Sequence, residues 1–242
     1  MRWQTEQDST STVLDLFRSC LEIVYPMRCG GCGEAGAVLC HRCIDAFRRV
    51  DPSSACPLCG RWVARVNVCG ACADSPPPFE RGWYGYYFEG QLRQALLSFK
   101  FEGRKDVGRR LVRLLEEKIL GMREEFDVLV PMPVTERRVR ERGFNQCYVI
   151  AEELSLITGR PLNFLALRKA KETKDQYTLS RDDRRKNVRG AFAVHDTEKL
   201  RGRRVLLVDD LLTTGHTARE ASRVLLSAQV RSVLVFALAR TP

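Results

Sequence analysis

The sequence of 242 residues lacks any run of about 18 or more apolar residues, so it predicts no membrane-spanning helix. It also lacks the basic and then apolar start of a secretory signal. Both absences favour a cytoplasmic protein. The net charge of +10 suits nucleic acid or a polyphosphate, although the basic excess becomes smaller if cysteine thiolates bind metal. The length allows one α/β domain and a small additional unit.

The most informative pattern begins at residues 205–208, where four apolar residues predict a short buried strand. Asp209 and Asp210 follow, and then a hydroxyl-rich turn with one glycine. A helix is predicted from about Thr217, and residues 232–238 predict a second strand that completes a βαβ unit. Because ligands of an open parallel sheet bind at the carboxyl ends of its strands, we expect a ligand site here.

The residue types of this turn suit a ribose 5-phosphate. Free N–H groups and the helix dipole attract a phosphate at the start of a helix, and the threonine hydroxyls add donors. Asp209 and Asp210 would repel phosphate, so we expect them to bind sugar hydroxyls, directly or through Mg²⁺ and its waters. The alternative is an ordinary Asp-capped turn. The predicted phosphate-binding residues are Thr213, Thr214, Gly215, His216 and Thr217.

Four apolar residues, two acids and Thr-Thr-Gly-x-Thr resemble the phosphoribosyl pyrophosphate signature of the type I phosphoribosyltransferases. The version here is similar to that of the adenine phosphoribosyltransferases. Hypoxanthine-guanine enzymes carry an acid, placed to act on purine N7, where this chain has Thr213. The resemblance therefore implies the sugar-phosphate site but not the same base mechanism, and no general base can be named.

Four Cys-x-x-Cys pairs predict two closed tetrahedral zinc sites, because two pairs supply four thiolates. Disulfides are a rival interpretation, but a cytoplasmic protein keeps its thiols reduced. A redox role does not fit four copies of the motif. Sequential pairing is the preferred arrangement, and an interleaved one remains open. The two predicted sets are Cys29, Cys32, Cys40 and Cys43, and Cys56, Cys59, Cys69 and Cys72.

Two further segments are candidates for binding diphosphate. A strand at residues 126–130 is followed by a proline-marked loop and clustered arginines, which suit a clamp on diphosphate, although a solvated basic face is the alternative. The candidate residues are Pro133, Val134, Thr135, Arg137 and Arg138. Residues 169–186 are long, polar and charged, as expected of a lid that excludes water. The other predicted elements are helices at residues 13–24, 91–99, 107–120 and 143–158 and strands at residues 83–88 and 163–167.

Nearly the whole chain resembles the ComF family, which joins a double zinc ribbon to a phosphoribosyltransferase-like domain and is linked to competence and DNA uptake. The motifs that carry this resemblance are the four cysteine pairs, residues 87–93, 99–103, 130–133, 142–146, 176–180 and 184–192, and the Asp-Asp stretch. The loop layout is also similar to that of glutamine-dependent amidophosphoribosyltransferases, but the chain lacks their N-terminal cysteine nucleophile. The flexible-loop residues implied by the resemblance are Gln176, Ser180, Arg184 and Asn187.

The expected fold is α/β: a twisted, mostly parallel sheet of the type I phosphoribosyltransferase kind, flanked by helices and preceded by a small double zinc ribbon. The expected boundaries are residues 1–28 for an N-terminal amphipathic helix, 29–74 for the ribbon, 75–79 for a proline-rich linker and 80–242 for the larger domain. The expected cofactors are two structural Zn²⁺ ions, and Mg²⁺ with phosphoribosyl pyrophosphate.

Two functions compete. One is pentosyl transfer from phosphoribosyl pyrophosphate to an unidentified acceptor. The other is a non-catalytic protein of DNA uptake that senses a nucleotide or contacts single-stranded DNA or a competence helicase. The intact Asp-Asp pair favours catalysis, and the competence link favours the second function. The oligomeric state cannot be predicted from these motifs.

Overall fold

The computed structural model describes residues 26–64, 67–170 and 190–242. The amphipathic helix predicted at residues 13–24 lies outside the described residues. So do the flexible-loop candidates Gln176, Ser180, Arg184 and Asn187. Within the described ranges, no helix is long and apolar enough to cross a bilayer.

A sheet of four parallel strands forms the centre of the larger domain, as the sequence predicted. In chain order the strands of the described residues are β1 (Arg81–Tyr87), β2 (Val128–Pro131), β3 (Leu167–Lys169), β4 (Phe192–Val194), β5 (Arg204–Leu212) and β6 (Ser232–Arg240). The parallel sheet has the order β1-β6-β5-β2, whereas β3 and β4 form a separate antiparallel pair. The strand expected at residues 163–167 begins at Leu167 and ends at Lys169 in the structure.

Helices cover the sheet. In the described residues they are α1 (His41–Asp45), α2 (Gly70–Asp74), α3 (Gly90–Phe101), α4 (Lys105–Arg113), α5 (Glu116–Gly121), α6 (Glu136–Arg142), α7 (Gln146–Thr158), α8 (Thr197–Leu200) and α9 (His216–Ser227). The single helix predicted at residues 107–120 is broken at Leu114 and Leu115. The N–H of Leu114 donates to the oxygen of Arg110, and the N–H of Leu115 donates to the oxygen of Val112. The second bond spans only three residues, which tightens the chain into a turn.

The apolar runs of β5 and β6 follow from burial on both faces of the sheet. Leu206 and Val208 face the cluster that contains α3, α4 and α7. Val205 and Leu207 face the opposite cluster, which includes residues of α9. Because successive side chains of a strand point to opposite faces, a strand covered on both sides needs continuous apolar residues rather than alternation.

The two cysteine-rich segments pack directly on the larger domain. At the first segment, Arg104 at the start of α4 donates a hydrogen bond from Nη2 to the backbone oxygen of Arg28, at 2.9 Å. At the second, the Tyr84 hydroxyl in β1 donates to the oxygen of Leu58 at 2.6 Å. Nη1 of the buried Arg240, at the end of β6, donates to the oxygen of Cys59 at 2.8 Å.

Candidate functional site

The carboxyl ends of β2 and β5 lie side by side, because the two strands are parallel and paired. Pro131 is in register with Val208, and the N–H of Met132 donates to the Val208 oxygen at 2.8 Å. The loop that follows β2 therefore starts beside Asp209. This register brings the predicted diphosphate loop to the same sheet edge as the Asp-Asp pair.

The predicted phosphate turn joins β5 to α9. Strand β5 continues through both aspartates to Leu212, which is four residues further than the apolar run suggested. Gly215 caps α9 with φ of +76°, a left-handed conformation in which glycine is unstrained. The helix begins at His216, one residue before its predicted start. Residues 213–217 are thus held at a helix N-terminus, where backbone N–H groups favour an anion.

The two aspartates have different surroundings. Asp209 is buried, and its Oδ1 accepts hydrogen bonds from the N–H of Asp210 at 2.9 Å and from the thiol of Cys147 at 3.5 Å. Asp210 is less buried, and its Oδ2 lies 2.9 Å from Nζ of Lys100. The pair therefore presents one enclosed carboxyl group and one carboxylate that is neutralised by a lysine.

Burial and the neighbouring Asp210 carboxylate raise the pKa of Asp209 from 3.8 to about 7, against the opposing effects of Lys100 and of its hydrogen-bond donors. Burial also raises the pKa of the Cys147 thiol well above its usual range, so it remains a protonated donor. The carboxyl group of Asp209 consequently changes charge near neutral pH.

Lys100 is a residue of the candidate site that the sequence motifs did not single out. It lies in the last turn of α3 and is only 5% exposed. The apolar face of this helix includes Leu92, Leu96 and Phe99, and Lys100 continues it four residues after Leu96. A lysine on a buried helical face needs a counterion. Its position on the apolar face of the predicted helix could therefore have indicated an acidic partner.

Cys147 in α7 is buried, and its sulfur contacts Asp209. Its position follows from the N-cap of α7, where the side-chain oxygen of Asn145 accepts from the Cys147 N–H at 2.9 Å. The Asn145 amide donates to the Met132 oxygen at 3.2 Å, which ties this helix start to the loop after β2.

The predicted diphosphate residues lie on the loop and the first turn of α6. The hydroxyl of Thr135 caps this helix by accepting from the Arg138 N–H at 3.3 Å. Arg137 forms an ion pair with Glu141 at 3.0 Å. Arg140 pairs with Glu136 at 3.5 Å. The basic face of α6 is thus partly neutralised by its own glutamates.

The eight cysteines of the four pairs form two clusters in the sequential arrangement. In each set of four, the sulfurs lie within 4.8 Å of one another. Cys32 and Cys40 have sulfurs 3.7 Å apart, and those of Cys59 and Cys69 are 3.6 Å apart. Zn–S bonds of about 2.3 Å place the sulfurs of a tetrahedral site about 3.8 Å apart. Both clusters therefore have the donor set and dimensions of a closed zinc site.

Backbone N–H groups turn toward the sulfurs in both clusters. The sulfur of Cys29 accepts from Gly31 and Cys40, and that of Cys56 accepts from Cys69. Burial acts to raise the pKa of Cys29, but these donors outweigh it and lower the pKa to about 6. The same balance lowers the pKa of Cys56 to about 7. Each cluster thus contains a stabilised thiolate, the form that binds zinc.

Comparison with known families agrees with this architecture. The chain matches the phosphoribosyl transferase domain over residues 141–242 and the double zinc ribbon domain over residues 20–73. The larger domain therefore has the type I phosphoribosyltransferase fold, and the ribbon match together with the cysteine clusters supports structural zinc.

Curated relatives identify the family. DNA utilization protein YhgH of Salmonella typhimurium is 30% identical over 209 residues, which cover 84% of this chain and 90% of the relative. Competence protein F of Haemophilus influenzae is 30% identical and covers 76% and 85%. Competence protein ComFC of Bacillus subtilis is 29% identical and covers 84% of both. The chain belongs to the ComF family.

Proposed function

We propose that the protein binds phosphoribosyl pyrophosphate with Mg²⁺ and transfers the phosphoribosyl group to an acceptor in DNA uptake or DNA utilisation. The observation that carries this proposal is the juxtaposition of an Asp-Asp pair, a helix-capping Thr-Thr-Gly turn and the loop after β2 at one sheet edge. The names of the relatives support the cellular role.

In this proposal each element has a separate task. Residues 213–217 bind the 5-phosphate, and Asp209 and Asp210 bind the ribose hydroxyls. Residues 133–138 bind diphosphate. The bond between ribose C1 and the diphosphate oxygen breaks, and diphosphate leaves with the electron pair. A lone pair of the acceptor forms the new bond to C1, and the proton that the acceptor loses passes to the departing diphosphate or to water. The carboxylates stabilise the positive charge that develops on the ring. When bound with the ligand, Mg²⁺ would neutralise part of the negative charge of the diphosphate.

Ligand-dependent thermal stability tests the binding step. Phosphoribosyl pyrophosphate with Mg²⁺ should raise the melting temperature, because a ligand that binds only the folded state stabilises it. The double variant Asp209→Asn/Asp210→Asn should lose most of this shift and keep its zinc content. A full shift in the double variant would place the ligand elsewhere. Diphosphate release with a panel of acceptors, including DNA ends, then tests the transfer step.

The names of the relatives also favour a second candidate, a DNA-binding or helicase-binding adaptor that senses the sugar phosphate without turnover. Here Arg137, Arg138, Arg140 and Arg142 of α6 would contact single-stranded DNA, together with the basic run at residues 184–186, which lies outside the described residues. Binding should then tolerate different sequences and weaken steeply with salt, because each phosphate contact releases counterions. The internal ion pairs of α6 imply fewer contacts than four arginines would otherwise make.

Competition distinguishes the two candidates. Because the same arginines are candidates for both ligands, millimolar phosphoribosyl pyrophosphate should lower DNA affinity at fixed salt beyond an equal charge of sulfate. Such competition supports a shared site. If the ligand does not affect DNA binding, the DNA-binding surface lies on the zinc ribbon. If the protein does not bind DNA at about 0.1 M salt, the transferase function is favoured.

A further inference from the structure

Lys100 lies beside a group of three side chains that could hold a metal ion. One ligand atom each of Cys147, Asp209 and Asp210 lies within 4.8 Å of the other two, a spacing that suits a divalent cation. The Lys100 ammonium approaches this group from α3 and lies 2.9 Å from Oδ2 of Asp210. Paired carboxylates in a buried site attract a cation, and here the chain supplies one.

The surroundings of Lys100 keep it in this position. The oxygen of Lys100 accepts a hydrogen bond from the side-chain amide of the fully buried Gln146 at 3.4 Å. The rings of Phe99 and Phe144 pack with their centroids 5.6 Å apart. The guanidinium of Arg142 lies 4.8 Å from the ring centroid of Phe101.

These contacts join the segment at residues 99–103 to the segment at residues 142–146, and the two enclose Lys100. The end of α3 and the start of α7 thus hold the lysine on both sides. A surface lysine that merely happened to pair with an acid would not have such support.

We propose that Lys100 is a positioning residue that acts as a fixed cation of the sugar site. It holds the Asp210 carboxylate and supplies the positive charge that the acid pair would otherwise take from a protein-bound divalent ion. The site then needs only the Mg²⁺ that arrives with the diphosphate. This inference rests on the proposed function for its ligand, but the cation-binding part can be tested without that ligand.

The first test measures Mn²⁺ uptake by electron paramagnetic resonance, with the zinc-loaded full chain and no phosphoribosyl pyrophosphate. Lys100→Gln should create one saturable Mn²⁺ site per chain, and Lys100→Gln/Asp210→Asn should lose it. Lys105→Gln is the matched control: Lys105 is exposed, follows the same helix end and lies 5.0 Å from the Phe144 ring centroid. Zinc content and circular dichroism report folding.

Two results of this first test would overturn the proposal. One is Lys100→Gln taking up no more Mn²⁺ than Lys105→Gln. The other is a saturable Mn²⁺ site in the wild-type protein that Asp210→Asn removes. The wild-type measurement decides the matter even if Lys100→Gln does not fold.

The second test follows phosphoribosyl pyrophosphate binding by calorimetry across a Mg²⁺ series. Wild-type affinity should rise with the first power of free Mg²⁺, and that of Lys100→Gln with the second power. At limiting Mg²⁺ the variant should bind about tenfold more weakly, the loss expected from one charge-assisted contact. A second-order dependence in the wild type contradicts the fixed-cation role. A wild type that does not bind the ligand refutes the proposed function, whereas the Mn²⁺ comparison still decides the role of Lys100.

Discussion

Replacement of Asp209 by asparagine should stabilise the protein above neutral pH. Asparagine mimics the protonated acid: its Oδ1 accepts from the Cys147 thiol and the Asp210 N–H, as the Asp209 oxygen does. The variant therefore keeps both hydrogen bonds and removes a carboxyl group that must ionise inside the protein. Most substitutions of buried polar residues destabilise, so a gain in stability is an unusual expectation.

The size of the effect follows from the raised pKa of Asp209. The folded state holds the proton up to about pH 7, whereas an ordinary aspartate loses it near 3.8. The contribution of the group to stability is thus complete below pH 4, falls between pH 4 and 7, and is lost above pH 7. At about 1.4 kcal/mol per pKa unit, the full loss is roughly 4 kcal/mol. Between pH 5.5 and 8 the advantage of the variant should grow by about 2 kcal/mol.

Thermal unfolding without Mg²⁺ or sugar phosphate, at several pH values from 5.5 to 8.5, measures this growth. For a chain of this size it corresponds to a relative rise in melting temperature of about 4–8 °C. Asp210→Asn is the control with the opposite sign, because it removes the carboxylate that pairs with the buried Lys100, at a cost of about 3–5 kcal/mol. If the stability difference between Asp209→Asn and the wild type does not change with pH, the argument that ionised Asp209 destabilises the folded protein is wrong.

Three further substitutions test metal binding and packing in the cysteine-rich segments. Cys56→Ser should reduce zinc from close to two ions per chain to one and unfold its half of the ribbon, because metal binding contributes folding free energy; an unchanged metal content would contradict the assignment. Gly60→Ala should destabilise the protein by about 2 kcal/mol, since the new Cβ would lie 2.2 Å from the ring of Tyr84 at φ of +69°. Gly33→Ala, with φ of +79° and no atom within 4 Å, isolates the backbone strain, and an equal loss in both variants would refute the steric argument.

Local patterns predicted the parts of the molecule that depend on neighbours in sequence. The apolar run at 205–208, the two acids and the glycine turn predicted a strand, a sheet edge and a helix start, and all three are observed. The cysteine spacing predicted two clusters, because each cluster is built from two pairs that are close in sequence.

The contacts of the candidate site that join segments far apart in the sequence were not predicted. Lys100 meets Asp210 across more than one hundred residues, and only the tertiary fold brings the end of α3 to the end of β5. Cys147 reaches Asp209 for the same reason. The helix break at Leu114 and Leu115 could not be predicted, because both leucines continue an apolar pattern that a single helix would also satisfy. The break depends on how α4 and α5 each pack against the core.

The contacts of Arg240 link the second cysteine-rich segment to the turn that joins β5 to α9. Its guanidinium donates to the oxygen of Cys59, and the next residue, Thr241, donates its N–H to the oxygen of Leu212, which immediately precedes the turn at residues 213–217. Arg219 in the first turn of α9 donates to the oxygens of Ser75 and Pro76, which follow the second cysteine-rich segment in the chain. A macromolecule that displaced the second cysteine-rich segment would have to break the hydrogen bonds that Arg240 and Arg219 make beside the turn, so the segment and the turn are linked through these two arginines.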